Sequence, residues 1–352
     1  MEKRYTLKDV AKEAKVSVGT VSNYLNNPNS VKPINRLQIE RAVELLGFTP
    51  NVNARVLATG KSRTVILYIQ SEEKISPTTW LHQMPTVQAV HDSLQKEGYA
   101  LQIRIVYAND EDGFYDSVKN CVESKVADGI LLLSVWKIPD KIINYLTKRK
   151  FPFVCSGYEC FYPKATSIYY DNYGMMRSLV DLLCQKGHRK IAYITVRSMP
   201  QDAHYRYQGY LDGMKEHHLA IPEEYTLYGD FSIESGRRCM REALKNGCDF
   251  TAVLCANDNM AVGALQTIAE MGLRVPEDIS LVGVDNSIAA NACTPRLHTV
   301  EFDLEALGEF SVKELLRIIH NSNHHRIKTK LGYTVVPGKT IGSARDTEKG
   351  VG

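Results

Sequence analysis

No run of the 352-residue sequence approaches the ~20 consecutive apolar residues that a helical bilayer crossing needs, so a membrane-spanning helix is excluded and a soluble protein expected. The first residues, MEKRYTLKDVAKEAK, have no apolar signal-peptide core. That leads us to expect retention in the cytoplasm. Among the eight cysteines (Cys121, Cys155, Cys160, Cys184, Cys239, Cys248, Cys255 and Cys293) no CxxC pair occurs. Scattered through apolar segments, they read as reduced core residues, with neither disulfides nor a metal site expected.

Catalytic signatures are also missing. There is no GxSxG, no HExxH and no GxGxxG after a strand. The segment Gly332-Tyr-Thr-Val-Val-Pro-Gly-Lys-Thr340 has one residue too many between its glycines for a phosphate loop, and no helix follows it. His320, His324 and His325 sit in a polar run that reads as a solvated loop. We therefore expect no catalytic residue, no metal and no cofactor.

What is present is asymmetric. The net charge of +3 conceals ten basic against five acidic side chains in residues 1–61, a segment of +5 joined to a body of −2. A small basic module on a near-neutral body points to a polyanionic partner for the module alone.

Leu7, Val10, Ala11 and Ala14 form the stripe of a short amphipathic helix with Thr6 placed to cap it. Val21 and Leu25 mark a second helix starting after Ser17, about three residues on, which is helix-turn-helix spacing. Ile39, Ala42, Val43 and Leu46 predict a third, entered through Pro33 and closed by Gly47. The following polar stretch, Thr49 to Ser62, reads as a hinge too weakly apolar to be a stable helix alone.

From Thr64 onward, apolar strand-like runs alternate with helix-length amphipathic segments. Strands are expected around Val65–Tyr68, Leu101–Val106, Gly129–Val135, Phe151–Cys155, Lys190–Thr195, Ala252–Cys255 and Ser280–Val284. Helices are expected over Pro85–Glu97, Pro139–Arg149, Tyr173–Lys186, Arg206–His217, Ile233–Lys245 and Asn257–Met271. This βα alternation implies parallel sheets covered on both faces, and enough chain for two lobes with a cleft between them.

The second helix of the basic module carries the sharpest signal. Its outward positions are small, neutral and hydrogen-bonding, where a solvated helix would carry Glu and Lys. A duplex reader needs just that: Ser17, Val18 and Gly19 permit close approach, Asn23 can address a base edge, and Thr20, Ser22 and Asn26 can hold phosphates.

Three groups of motifs recur in order. They are Thr6-Leu-Lys-Asp-Val-Ala-Lys-Glu-Ala-Lys-Val-Ser-Val-Gly-Thr-Val-Ser-Asn-Tyr-Leu-Asn26 with Leu46-Gly-Phe-Thr-Pro-Asn51 and Ala54-Arg-Val-Leu-Ala-Thr-Gly60; then Gly187-His-Arg-Lys-Ile-Ala-Tyr-Ile194 and Arg206-Tyr-Gln-Gly209; then Ala256-Asn-Asp-Asn-Met-Ala261 and Val275-Pro-Glu-Asp-Ile-Ser-Leu-Val-Gly-Val-Asp285. With these the chain resembles the LacI/GalR family of bacterial transcriptional regulators over essentially its whole length.

The resemblance implies an N-terminal all-α helix-turn-helix domain (1–49), a hinge helix or linker (50–62), an α/β two-lobed periplasmic-binding-protein-like (type I) domain for effector binding and dimerisation (63–345), and a short tail (346–352). It implies a cytoplasmic, nucleoid-associated homodimer on a pseudo-palindromic double-stranded operator, with no membrane partner. Thr6, Asn51 and Arg55 would complete the DNA-facing set, and Leu57 would take the position of a leucine wedged into the minor groove. The dimer interface is expected to involve the Pro85–Glu97 helix. A small-molecule effector, a sugar or related metabolite, would lie between the lobes. Arg206, whose planar fork suits paired hydroxyls or a carboxylate, and Asp285 match its ligands; Asn257, Asp258 and Phe231 match further contacts, and Asp171, Tyr158, Phe302 and Trp80 are weaker candidates. Capping is the competing reading for Asn257 and Asp258. The alternative function is a solute-binding protein without a regulatory role, which would have no use for residues 1–60.

Two departures from the family pattern carry physical expectations. Lys15 stands where the family has Gly, so a residue with a Cβ must adopt positive φ, at ~1 kcal/mol. Asn23 replaces a frequent Arg, which shifts the expected base from guanine toward adenine.

Overall fold

The computed structural model describes residues 5–26, 28–48, 61–71, 77–197, 200–321 and 326–345. They form two compact units, one ending at Arg63 and one beginning at Thr64, with the loop Lys125–Ala127 grouped with the first.

In the first unit α1 (Leu7–Glu13), α2 (Val18–Asn26) and α3 (Pro33–Leu46) enclose one core of Val10, Ala11, Ala14, Val21, Ile39, Ala42 and Phe48. Each helix start has a local cause. The Asp9 carboxylate accepts from both the Thr6 N–H (2.8 Å) and the Thr6 hydroxyl (2.7 Å), tying down the α1 N-terminus. The Ser17 hydroxyl accepts from the Thr20 N–H at 3.0 Å, a cap for α2. Pro33 opens α3, where a missing N–H costs nothing, and Gly47 closes it at φ 58°. Lys15 does sit at φ 53°, as the turn requires.

The second unit holds two parallel sheets, as the βα alternation predicts. The strands of the first are β1 (Thr64–Ser71), β2 (Ala100–Tyr107), β3 (Gly129–Leu133), β4 (Phe153–Ser156), β5 (Thr166–Tyr170) and β11 (Lys328–Leu331), in the order β11-β5-β4-β3-β1-β2. Leu67 of β1 is in register with Ile103 of β2 on one side and Leu131 of β3 on the other. Helices α4 (Pro77–Lys96) and α12 (Leu304–His320) cover one face through Val87, Val90, Leu94, Leu307, Val312 and Leu315. Helices α5 (Glu111–Glu123) and α6 (Asp140–Lys148) belong to the same lobe, burying Phe114, Val118, Ile142 and Leu146.

The second lobe has β6 (Ile191–Val196), β7 (Thr226–Gly229), β8 (Ala252–Cys255) and β9 (Ser280–Val282) in the order β7-β6-β8-β9. Its helices are α7 (Asn172–Gln185), α8 (Gln201–Glu216), α9 (Ile233–Lys245), α10 (Asp258–Glu270) and the short α11 (Ile288–Ala292). Strand β10 (Thr299–Glu301) pairs antiparallel with β12 (Thr334–Val336). The chain thus crosses between lobes after β5, before α12 and after β11, so three strands of backbone join them.

Two helix boundaries differ from the sequence expectation. Pro85 lies inside α4, eight residues after its start, rather than opening it. Its missing N–H leaves one carbonyl a turn earlier without a helical partner, and packing of Val87, Val90 and Leu94 outweighs that loss. Helix α8 begins at Gln201, so Arg206 lies in its second turn. The eight cysteines are all free thiols, six of them buried.

Candidate functional site

On the first unit, α2 presents Val18, Gly19 and Asn23 to solvent, with Ser17 exposed just before it and Thr20 and Ser22 half-buried beside them. Val18 is 41% exposed, one of several apolar side chains that this small unit leaves at its surface, with Ile34, Leu37 and Leu45. A Cβ on Gly19 would find only the Ser17 hydroxyl, at an ordinary 3.7 Å. The fold therefore does not require glycine there, although an interior helical Gly costs about 0.5–1 kcal/mol relative to Ala. The Asn23 side chain makes no hydrogen bond among the described residues, while its carbonyl accepts from the Ser30 hydroxyl at 3.3 Å. The Thr20 hydroxyl is instead shared with that of Ser17 at 2.8 Å, and Thr6 is engaged with Asp9. Asn51, Arg55 and Leu57 lie outside the described residues, as does the Asn26 side chain.

In the second unit the candidate residues gather where ligands of parallel α/β sheets bind, beyond the carboxyl ends of the strands. Tyr158 follows β4, Asp171 follows β5, Phe231 follows β7, Asn257 and Asp258 follow β8, and Asp285 follows β9. Arg206 is buried at their centre. Its Nε donates to the Asn172 carbonyl oxygen Oδ1 at 2.8 Å and its Nη1 to the Ala256 carbonyl at 2.5 Å. The guanidinium carbon lies 5.6 Å from the Phe302 ring centroid, and Phe302 packs on Tyr170 with centroids 4.6 Å apart. Two arms are thus fixed. Nη2 stands 3.7 Å from Asp202 Oδ2 and 4.0 Å from Asp285 Oδ1, both too long for hydrogen bonds. Among the described residues this edge of the fork makes no hydrogen bond and is flanked by two carboxylates.

Asp285 is 17% exposed and adopts φ 112°, followed by Asn286 at φ 48°. Its N–H donates to the Val300 carbonyl at 2.7 Å, which holds the strained turn. Burial pushes its carboxyl up from the ordinary range, opposed by His82 of α4 and by Arg206. Phe231 also has positive φ, 68°, and its carbonyl accepts from Asn257 Nδ2 at 3.0 Å. Asn257 Oδ1 meanwhile accepts from Met260 N at 3.0 Å, capping α10. The cap and the loop carrying Phe231 are one device.

Asp258 is 1% exposed, and both its oxygens are engaged: Oδ1 by the Thr299 hydroxyl at 2.6 Å, Oδ2 by the Ser287 N–H at 2.7 Å. Burial, then the nearby Asp285 charge, raises its pKa to about 7. A Cβ at Gly283 would lie 2.2 Å from Asp258 Oδ1, so glycine is required there for this approach. Asp171 caps α7 by accepting from the Gly174 N–H at 3.0 Å, and pairs with Lys330 at 2.9 Å. Its neighbour Asn172, not Asp171 itself, reaches Arg206. Tyr158 is buried after β4, its phenol pushed up to about 12 by burial and then by Cys160. The Trp80 side chain lies outside what the structure describes.

The structure therefore joins Arg206, Asp285 and Phe302 directly, with Asn257, Asp258 and Phe231 as their framework. Sequence reasoning missed Asn172, Asp202, Tyr170 and His82. Asp202 was readable in principle, being four residues before Arg206 on one helix. The other three are long-range neighbours.

Residues 6–51 match the lacI family of bacterial regulatory proteins, and residues 180–341 match a periplasmic binding protein-like domain. The probable HTH-type transcriptional repressor ExuR of Bacillus subtilis is 34% identical over 314 residues, covering 89% of this chain and 91% of that protein. The chain belongs to the lacI family. Like the other lacI-family proteins it resembles, it is a transcriptional regulator, not an enzyme. Among solved lacI-family structures, the lac repressor dimer bound to operator and the anti-inducer ONPF superposes with TM-score 0.84 at 26% identity, over 97% of this chain and all of that one. The transcriptional regulator CelR in complex with cellobiose gives 0.69 at 27%, over 96% and 100%. No helix among the described residues is long and apolar enough to cross a membrane, and no group of three or more His, Cys, Asp or Glu there could hold a metal.

Proposed function

We propose that this lacI-family regulator is a cytoplasmic homodimeric repressor whose two α2 helices read the half-sites of a pseudo-palindromic operator, and that a sugar or related metabolite bound at Arg206 and Asp285 sets its operator affinity. The observation that carries the effector half of this reading is the Nη2 edge of Arg206, without a hydrogen bond among the described residues and held 3.7 and 4.0 Å from two carboxylates by arms already fixed on Asn172 and Ala256. A ligand carrying adjacent hydroxyls fills such a gap by accepting from the guanidinium and donating to the carboxylates. Phe302 and Phe231 supply apolar faces.

The dimeric half rests on β2, the edge strand of the first lobe, where Ile103 (43%), Ile105 (43%) and Tyr107 (40%) are exposed on one face. Alternate apolar residues exposed on an edge strand are an aggregation liability unless a partner covers them. Met84 of α4, 44% exposed, adds to the apolar surface of that lobe. In a twofold dimer each copy covers the other's patch.

The test is operator release. Labelled operator is titrated with the wild type and with Arg206→Ala in the presence of a panel of neutral sugars and sugar acids. At least one compound should shift wild-type operator affinity tenfold or more, about 1.4 kcal/mol of coupling, and should lose that effect on the variant. Equal response of both proteins would remove Arg206 from the site.

A further inference from the structure

Beside the Arg206 cluster lies a second polar contact that joins the two lobes and centres on Glu159. Glu159 is in the loop after β4, in the first lobe. Tyr169 of β5, in the same lobe, donates its hydroxyl to Glu159 Oε1 at 3.1 Å. Tyr205 of α8, in the second lobe, donates to Oε2 at 2.9 Å. Gln201, the first residue of α8, pairs its amide with the backbone of residue 159 twice over: Oε1 accepts from the Glu159 N–H at 2.7 Å, and Nε2 donates to the Glu159 carbonyl at 3.1 Å. The Gln201 N–H, one of the donors that a helix start leaves unmatched, donates to the Val135 carbonyl in the loop after β3 at 2.8 Å. The α8 N-terminus is thus completed by the opposite lobe.

The spacing along α8 gives this contact its meaning. Gln201 and Tyr205 face the first lobe. Asp202 and Arg206, each one residue later, face the candidate effector site. One helix turn carries both sets, so movement of α8 that adjusts Asp202 and Arg206 around a ligand must load or release the four bonds to Glu159 and Val135. We propose that Glu159, Gln201 and Tyr205 form an interlobe latch that positions α8, and that its strength sets the balance between two lobe arrangements before any effector binds. This rests on the regulatory reading given above. A two-state element of this kind is what allows a ligand to shift operator affinity, because the ligand acts only through its difference in affinity for the two arrangements.

The latch contains its own control. Tyr205→Phe and Tyr169→Phe each remove one phenol–carboxylate bond to Glu159, but only the first bond crosses between lobes. Amide hydrogen exchange is measured on the full-length, effector-free protein for Glu159 and Gln201, together with affinity for the operator. In Tyr205→Phe both amides should exchange about fivefold faster, and operator affinity should shift by about the same factor, the worth of one ordinary hydrogen bond. In Tyr169→Phe neither should move by as much as twofold. Equal exchange in the two variants would overturn the latch. Faster exchange in Tyr205→Phe with unchanged operator affinity would overturn its positioning role. Failure of the wild type to bind any operator would count against the regulatory reading, while the exchange comparison would still decide the latch.

Discussion

Helices α2 and α8 carry the two proposed recognition sites, and their polar side chains are arranged in opposite ways. On α2 the Asn23 side chain is uncommitted among the described residues, Gly19 leaves empty space, and Val18 is exposed. On α8 Arg206 is buried, with two arms fixed by hydrogen bonds and a third edge held near two carboxylates. The difference follows from the partners. A duplex is wide and rigid and brings its own donors and acceptors, so its reader keeps side chains short and free. A small ligand supplies few contacts, so its site must be built in advance and shielded from water.

The largest effect on this comparison comes from separating the two copies. Ile103→Asp places a charge on the exposed β2 face and should convert the dimer to monomer in sedimentation. Operator affinity should then fall by about 100-fold or more, since the second half-site no longer binds at high effective concentration. A dimer of unchanged affinity would move the interface elsewhere. Next is Asn23→Arg, which should exchange a preferred adenine for guanine in the half-site, with discrimination of about 10- to 100-fold. Effector response per bound operator should be unaffected, because the change lies only on the reading face.

A smaller effect separates the two units by pH. Burial holds the His188 imidazole below its ordinary range, between the hydroxyls of Thr251 and Ser280 at 2.9 Å each. The unfolded chain therefore takes up the proton first. The stability contributed by neutral His188 is complete above about pH 6.5 and is lost as pH falls below it. The advantage of wild type over His188→Asn should shrink by up to about 1.4 kcal/mol per pH unit in that window. Residues 1–61 contain no histidine, so unfolding of the first unit should be nearly flat there. The smallest effect is Gly19→Ala, which should stabilise α2 by about 0.5–1 kcal/mol in thermal melts while weakening operator binding several-fold. Stability and affinity lost together would mean the glycine serves the fold.

How much of this was legible in the sequence depended on the range of the interaction. The first three helices were readable because their caps are local: Thr6 with Asp9, Ser17 with Thr20, Pro33 and Gly47. The positive φ of Lys15 followed from the family resemblance, which places a glycine at that position. Seven of the ten parallel strands, β1 to β4, β6, β8 and β9, were readable as apolar runs, whereas β5, β7 and β11 were not. Strands β7, β10 and β12, of four, three and three residues, are too short to show a period. Helix α4 was started late because Pro85 reads locally as a helix opening, whereas long-range packing of its apolar face decides the matter. Arg206 was found through a motif, but its partners were not. The Ala256 carbonyl is backbone and leaves no mark on the sequence, and Asn172 is 34 residues away. Asn257 and Asp258 were ambiguous for a physical reason: their side chains serve cap and framework, which any helix following a strand might need.

The central claim is that a small open helix face reads a duplex twice, once from each copy. The most direct measurement is selection of bound sequences by the purified full-length protein from a random duplex pool, at one fixed moderate salt concentration so that phosphate contacts are held constant. Enrichment of a pseudo-palindrome with two related half-sites is the predicted result. Enrichment of no sequence, with and without added sugars and sugar acids, would contradict it.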